Sequence, residues 1–246
     1  MVFRSLLPPV SYQRVGSGGR QKMTVTEALK KRISIRQFLP DPLDERLVRE
    51  ILEVARWSPS GGNLQAWRVV AVAGAEREAV VRLAAESGAS YAPDSSDARP
   101  VYPPNLWEPY RTRRYKLGED MYALLGIPRS DRQGRLAQWA RNYQFFGAPV
   151  GLFFVIEERM GHAQWAHLGM LIQSIALAAT ERGIGSCMQE SWSALRAPLK
   201  AHFNLAADEM IYCGMALGIA DPAAAVNTLR SERAAVDEFA VLRGFK

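Results

Sequence analysis

The sequence predicts one domain of mixed helices and strands, and three observations carry that expectation. Val150-Gly151-Leu152-Phe153-Phe154-Val155-Ile156 is a continuous apolar run, as in a strand buried on both faces. Residues 165–182 are long and mostly apolar, and Leu168, Leu171, Ile172, Ile175, Leu177 and Ala178 cover most of a helix circumference. Such a helix belongs in a core or at a subunit interface. The connections between periodic segments are mostly short, with no internal repeat, so 246 residues read as one ordinary domain rather than two small ones.

Composition narrows the class. Hydrophobic content of 48% and charged content of 23% are those of a soluble globular chain. Lys plus Arg total 31 against 25 acidic residues, a formal charge of +6 that permits an anionic ligand without demanding nucleic acid. The basic residues are scattered apart from a knot at Arg111, Arg113, Arg114 and Lys116. With no basic stripe interleaved with aromatics and no helix-turn-helix signal, nucleic acid is not an expected partner. Cys187 and Cys213 make neither a disulfide framework nor zinc spacing, so no metal is expected and a reducing, cytoplasmic setting is. The N-terminal apolar run is too short for a secretory leader, and residues 150–156 and 168–179 fall short of a bilayer crossing, so no membrane association is expected.

Taken in order, residues 1–22 carry Pro8-Pro9 and Gly16-Ser17-Gly18-Gly19 and read as a flexible N-terminal arm, leaving 23–246 as the folded domain. Thr24 and Glu27 stand at capping-box spacing, so the first helix begins at Thr24. Pro40-Asp41-Pro42 interrupts regular structure before Asp44 caps a helix to Arg56, with Leu47, Val48, Ile51, Leu52 and Ala55 as its apolar stripe. A strand is expected at 68–73 and a helix at 75–85. Residues 87–109, with five prolines, form the longest irregular stretch and read as a lid, a binding loop or a surface excursion. A helix with a basic face follows at 110–125, and Ser130 or Asp131 caps the next, through Leu136, Trp139 and Tyr143. Gly183 closes the long apolar helix in the C-cap manner. Residues 185–192 read as strand or loop, Ser193 or Ala194 starts a helix to Phe203, and 210–218 is the last core strand. Residues 221–246 form a tail with some helical pattern.

Two stretches point beyond packing. Arg32-Ile33-Ser34-Ile35-Arg36 follows the first helix, and in an extended segment alternate residues share a face. Arg32, Ser34 and Arg36 would then point one way: either a solvated strand face or a phosphate site, since each guanidinium can fork onto phosphate oxygens. Ser58-Pro59-Ser60-Gly61-Gly62-Asn63-Leu64-Gln65-Ala66-Trp67 joins a helix to a strand. Pro59 and the glycine pair break regular structure and allow close backbone approach, while Asn63 and Gln65 add amides that both donate and accept. An ordinary connecting loop remains the alternative.

Together these stretches resemble the FMN-dependent nitroreductase family. The resemblance rests on Arg32-x-Ser34-x-Arg36, on Pro59-Ser60-Gly61-x-Asn63-x-Gln65-x-Trp67, on Gly183-Ile184-Gly185-Ser186-Cys187 after a long apolar helix, on Leu217-Gly218 ending a strand, and on Arg233. Within the family it is closest to nitrobenzoate-reductase-like members, whose insert is similar to Tyr102-Pro103-Pro104, Trp107-Glu108-Pro109-Tyr110-Arg111 and Arg141-Asn142-Tyr143-Gln144-Phe145-Phe146-Gly147-Ala148-Pro149.

The resemblance implies an α+β, nitroreductase-like fold: a central mixed sheet wrapped by helices, in an interlocked homodimer with FMN at the subunit interface. It implies that Arg32, Ile33, Ser34 and Arg36, helped by Arg233, hold the phosphate and ribityl chain. Pro59, Ser60, Gly61, Asn63 and Gln65 would come from the other subunit, and Met188, Gln189 and Glu190 would lie along the flavin ring with a backbone N–H near N5. The tail would reach across the partner, and Tyr102, Trp107 and Tyr110 would shape the acceptor pocket. The implied activity is transfer of hydride from NADH or NADPH to the flavin and then of electrons to a small organic acceptor such as a nitroaromatic or quinone. No side chain need act as catalytic acid, base or nucleophile. Reductive dehalogenation, flavin-dependent dehydrogenation or oxidation, and non-catalytic flavin binding remain the alternatives. Many relatives have proline where Met188 and Ala66 stand, which bears on the shape of the ring-side pocket.

Overall fold

The computed structural model describes residues 23–88 and 101–245. The arm expected over residues 1–22 and residues 89–100 of the irregular stretch expected at 87–109 lie outside them.

Local chemistry sets the helix starts. Thr24 Oγ1 accepts from Glu27 N–H at 3.2 Å while the Glu27 carboxylate accepts from Thr24 N–H at 2.7 Å, a capping box that opens α1 (Val25–Lys31). Asp44 caps α2 (Glu45–Ala55) by accepting from Arg46 N–H at 2.8 Å. Helices α3 (Gly74–Glu86), α4 (Tyr110–Leu124), α5 (Arg132–Ala140), α6 (His162–Glu181), α7 (Arg196–His202) and the one-turn α8 (Val236–Phe239) follow in chain order. Of the two candidate caps for α5, Asp131 does the work, accepting from Gly134 N–H at 2.8 Å.

Four strands, β1 (Arg68–Ala73), β2 (Val150–Glu157), β3 (Gly185–Gln189) and β4 (Glu209–Gly218), form one sheet in the order β1-β2-β4-β3. Each neighbouring pair is antiparallel. The sheet of these four strands is therefore antiparallel, and one isolated parallel bridge joins Ser34 to Ser186 on the outer edge of β3. β2 is central, and its apolar run from Val150 to Ile156 is buried, as expected of a strand covered on both faces.

The two faces carry two cores. On one, α2 and α6 set Ile51, Ala55, Leu168, Ile172 and Ile175 against Leu152, Phe154 and Met215. On the other, Phe145, Phe153 and Trp192 interlock, with ring centroids 4.8–5.8 Å apart. Each large apolar side chain so buried contributes about 1.5–3 kcal/mol of transfer free energy.

That aromatic cluster explains the departures from the expected elements. The helix expected through Tyr143 stops at Ala140, because Phe145 and Phe146 take left-handed φ values of 52° and 53° within a 3-10 turn and drop into the core. A second 3-10 turn, Glu190–Leu195, carries Trp192 inward and delays α7 to Arg196. Close packing also accounts for two glycines inside strands: a Cβ at Gly214 would collide with the Trp192 ring, and one at Gly151 with the Phe145 ring. Gly214→Val should therefore lower stability by about 1–3 kcal/mol. Urea unfolding of the variant measures it, and a loss of only a few tenths would sink this account of the cluster.

Candidate functional site

The candidate site starts where α1 ends. Arg32 caps α1 by donating its backbone N–H to Ala28 O, then the chain runs extended to Phe38. Ile35 and Phe38 are buried and Ile33 packs against the same core, which fixes the register. Ile35 N–H donates to Ser186 O at 3.0 Å, tying the segment to the edge of β3. Arg32, Ser34 and Arg36 are left facing a common cleft, as their alternation requires.

The tail completes that cleft. Beyond β4, Leu39 N–H donates to Ile219 O at 2.9 Å and Asp221 N–H to Gln37 O at 3.1 Å. Asn227 then acts as a clip: its Oδ1 accepts from Arg36 N–H at 2.9 Å, and its Nδ2 donates to Gln37 O at 2.8 Å and Asp221 O at 2.9 Å. Leu229 packs beneath, and Ser231 and Arg233 arrive beside Arg32. Arg233 is preset by its Nη1, which donates to Ser231 O, Ser231 Oγ and Glu232 O at 2.6–2.9 Å. The tail stays on its own chain as far as Arg233.

The resulting cleft holds about 60 Å³ between Arg32, Ser34, Arg36 and Arg233, with Leu117 of α4 closing one side. Among the described residues no carboxylate pairs with Arg32, Arg36 or Arg233. The tail acids are engaged on α4, Glu232 with Lys116 at 3.3 Å and Glu238 with Arg113 at 2.8 Å. Burial holds the Arg32 guanidinium below its ordinary pKa, and the charge on Arg233 lowers it further. Cys187 lies behind Ser34, and burial raises its thiol pKa against the opposing pull of Arg36, Ser34 and Arg32, which suits a packed neutral thiol rather than a nucleophile. The arrangement is that of an anion receptor: fork-shaped cations and a hydroxyl held by backbone bonds.

Met188, Gln189 and Glu190 continue along β3 from Ser186, so they flank the cleft. Pairing parity turns the Met188 N–H toward the same outer edge as Ser186, and its side chain is exposed. Gln189 is committed inward: its Nε2 donates to Asn142 O at 2.7 Å and its Oε1 accepts from Trp192 Nε1 at 3.3 Å. That leaves its backbone for any contact with a ligand. Glu190 reaches the surface, and the protein crowded around it pushes its carboxyl pKa up.

Pro59, Ser60, Gly61, Asn63 and Gln65 do not join the cleft. Their loop lies on α6, where Gly61 N–H donates to His167 Nδ1 at 3.3 Å and Ser58 Oγ donates to Ser174 Oγ at 2.8 Å. Gly62, Asn63 and Gln65 all have left-handed φ, at 63°, 55° and 50°, which turns the amides outward. Ser60 Oγ accepts from Gln65 N–H at 3.0 Å, and Gln65 Nε2 donates to Asn63 Oδ1 at 3.1 Å. The sequence offered no signal for Asn227, Leu229 or Leu117, whose roles depend on contacts across 80 residues or more. Asn227→Ala would leave Arg36 N–H without its partner and take one donor each from Gln37 O and Asp221 O, so the variant should lose about 1–3 kcal/mol and expose the tail to early proteolysis. Limited digestion followed by mass spectrometry reads this out, and unchanged cleavage would disprove the clip.

Comparison with known proteins follows this geometry. A model of the Nitroreductase family matches residues 29–219. The chain is 36% identical over 214 residues to 4-nitrobenzoate reductase of Pseudomonas putida, covering 87% of this chain and 93% of the relative. It is 34% identical over 215 residues to nitrobenzene nitroreductase of Ectopseudomonas oleovorans, covering 87% and 95%. The crystal structure of the FMN and NADPH-dependent nitroreductase NfnB from Sphigopyxis sp. strain HMH superposes with a TM-score of 0.86 at 40% identity, over 90% of this chain and 100% of that one. NfnB from Mycobacterium smegmatis, solved with NADPH, gives 0.80 at 27% identity, over 89% and 97%.

Proposed function

The chain belongs to the nitroreductase family, and on that footing we propose that it is an FMN-dependent oxidoreductase that takes electrons from NADH or NADPH and passes them to small organic acceptors, nitroaromatics foremost. The observation that carries this reading is the cleft in which Arg32, Arg36 and Arg233 meet around Ser34 with no carboxylate. Three guanidiniums and a hydroxyl are the donor set a phosphate monoester requires. When bound there, FMN supplies reversible acceptance of hydride, which no side chain in the site can do.

The remaining steps fall to this chain's residues. Arg32, Ser34, Arg36 and Arg233 bind and orient the phosphate end, with the Ile33 backbone as their frame. Met188, Gln189 and Glu190 present the strand edge to the ring, and a fixed N–H there stabilises charge that develops beside it. Pro59, Ser60, Gly61, Asn63 and Gln65, held outward on α6, serve the site of a second copy. That role is supported by the apolar surface around them. Trp57 is 80% exposed and Leu64 57%, and Val25, Leu29, Val54 and Met170 also face solvent on elements that pack on α6. A single copy rarely leaves such a surface bare, and two-fold pairing of α6 and its neighbours would bury it. Phe239, Val241, Leu242 and Phe245, all exposed beyond Arg233, suit an arm laid over that partner. No helix among the described residues is long and apolar enough to cross a membrane, and with two free cysteines we place the protein in the reducing cytoplasm.

The purified protein should carry a flavin whose absorbance bleaches on anaerobic addition of NADPH or NADH and returns on addition of 4-nitrobenzoate. Replacing both Arg32 and Arg36 by alanine should weaken FMN binding by about tenfold or more per guanidinium, read by flavin fluorescence, with the circular dichroism of the apoprotein unchanged. Wild-type protein that takes up no FMN, or a double variant that binds it equally well, would falsify the assignment of this cleft.

A further inference from the structure

A second cavity, larger than the first and unused by the site above, lies on the other side of α4. It holds about 570 Å³, and Asn105, Leu106, Arg111, Arg114, Tyr115 and Glu119 form its wall. That volume falls within the ordinary range for small-ligand sites. On α4 the cavity residues recur at three- and four-residue spacing, so they share one face. Leu117 points from another face into the phosphate cleft, and one helix separates the two spaces.

The charges in the wall are not equivalent. Glu119 is satisfied by a two-pronged bond from Arg135, at 2.6 and 3.1 Å. Arg111 shares the carboxylate of Glu108 at 2.8 Å. Arg114 has no carboxylate within ion-pair reach among the described residues, and its guanidinium lies 4.2 Å from the centre of the Tyr102 ring. Stacking uses the face of a guanidinium and leaves its N–H donors free in the plane, preset to fork onto an anion. Tyr115 adds a flat surface, and Asn105, held at a φ of 59°, adds an amide edge. A forked cation, a second cation three residues away, an aromatic face and an amide together suit a phosphorylated purine nucleoside.

We propose that this cavity binds the adenosine 2′-phosphate end of NADPH, with Arg114 as the residue that distinguishes it from NADH. The proposal rests on the reductase reading above, which requires a nicotinamide dinucleotide, and it assigns that dinucleotide's distal end to α4. The insert that carries α4 then has a task apart from the acceptor: it selects the reductant.

Calorimetry on the flavin-loaded protein tests it with adenosine 2′,5′-bisphosphate and 5′-AMP as probes. The bisphosphate should bind about tenfold more tightly or better than 5′-AMP, and Arg114→Gln should erase that preference without weakening 5′-AMP. Arg114→Lys, which keeps the charge but loses the fork, should retain part of it. In anaerobic stopped flow, Arg114→Gln should raise half-saturation for NADPH by a similar factor and leave NADH unchanged. Equal binding of the two probes, a preference that survives Arg114→Gln, or an equal rise for both dinucleotides would overturn the proposal. A wild-type protein whose flavin accepts electrons from neither dinucleotide overturns the reductase reading, whereas one that is reduced readily yet shows no probe preference overturns this site alone.

Discussion

Three guanidiniums turned toward one small cleft, with no carboxylate to neutralise them, set the terms for the structure around them. Like charges at that separation repel, and partial burial of Arg32 deepens the penalty. The fold therefore fixes the segments that carry them. Ile35 is bonded to Ser186, Arg36 and Gln37 are clipped by Asn227, and Arg233 is braced on Ser231. Remote ion pairs from α4 to Glu232 and Glu238 engage these tail acids away from the cleft. Exposed pairs of this kind add at most about 1 kcal/mol each to stability. Their effect here is on where negative charge is absent.

Much of this was legible before any coordinates. Thr24 with Glu27, and Asp44 ahead of its apolar stripe, announced helix starts because capping is local chemistry. The run Val150–Ile156 announced a buried strand because only a strand covered on both faces tolerates it. The shared face of Arg32, Ser34 and Arg36 followed from strand parity alone. The failures also have physical causes. Phe145 and Phe146 sit in left-handed backbone that their side chains disfavour locally, and only burial against Phe153 and Trp192 stabilises it. Asn227 reads as an ordinary tail residue, since its partners lie about 190 positions away. Nothing in the segment 185–192 announces that the Gln189 amide is consumed inside the aromatic core.

The edge of β3 joins these themes. A free strand edge exposes unpaired N–H and C=O groups and invites unwanted pairing. Here the segment beginning at Arg32 covers its first half through the bridge at Ser34, and the uncovered half begins at Met188. Among the described residues, the place where the sheet edge is left uncovered thus lies along the same edge as Ser34, beside Arg32 and Arg36. Met188, unlike a proline, brings a backbone N–H to that edge.

The separation of the two sequence motifs is itself a constraint. The amide loop at 59–65 lies on α6, on the surface that also exposes Trp57 and Leu64, while the arginine segment lies at the β3 edge. Nothing in the described chain carries one to the other, yet each is built with rigid, left-handed or bridged backbone that a plain connection would not need. Under the proposed pairing of two copies through α6, the loop of one would serve the cleft of the other. A cofactor held by both copies binds the pair more tightly than either monomer, and by linkage it stabilises the pair in turn. Cofactor retention and assembly would then be one equilibrium, and the apolar surface on α6 would belong to the chemistry as much as to the fold.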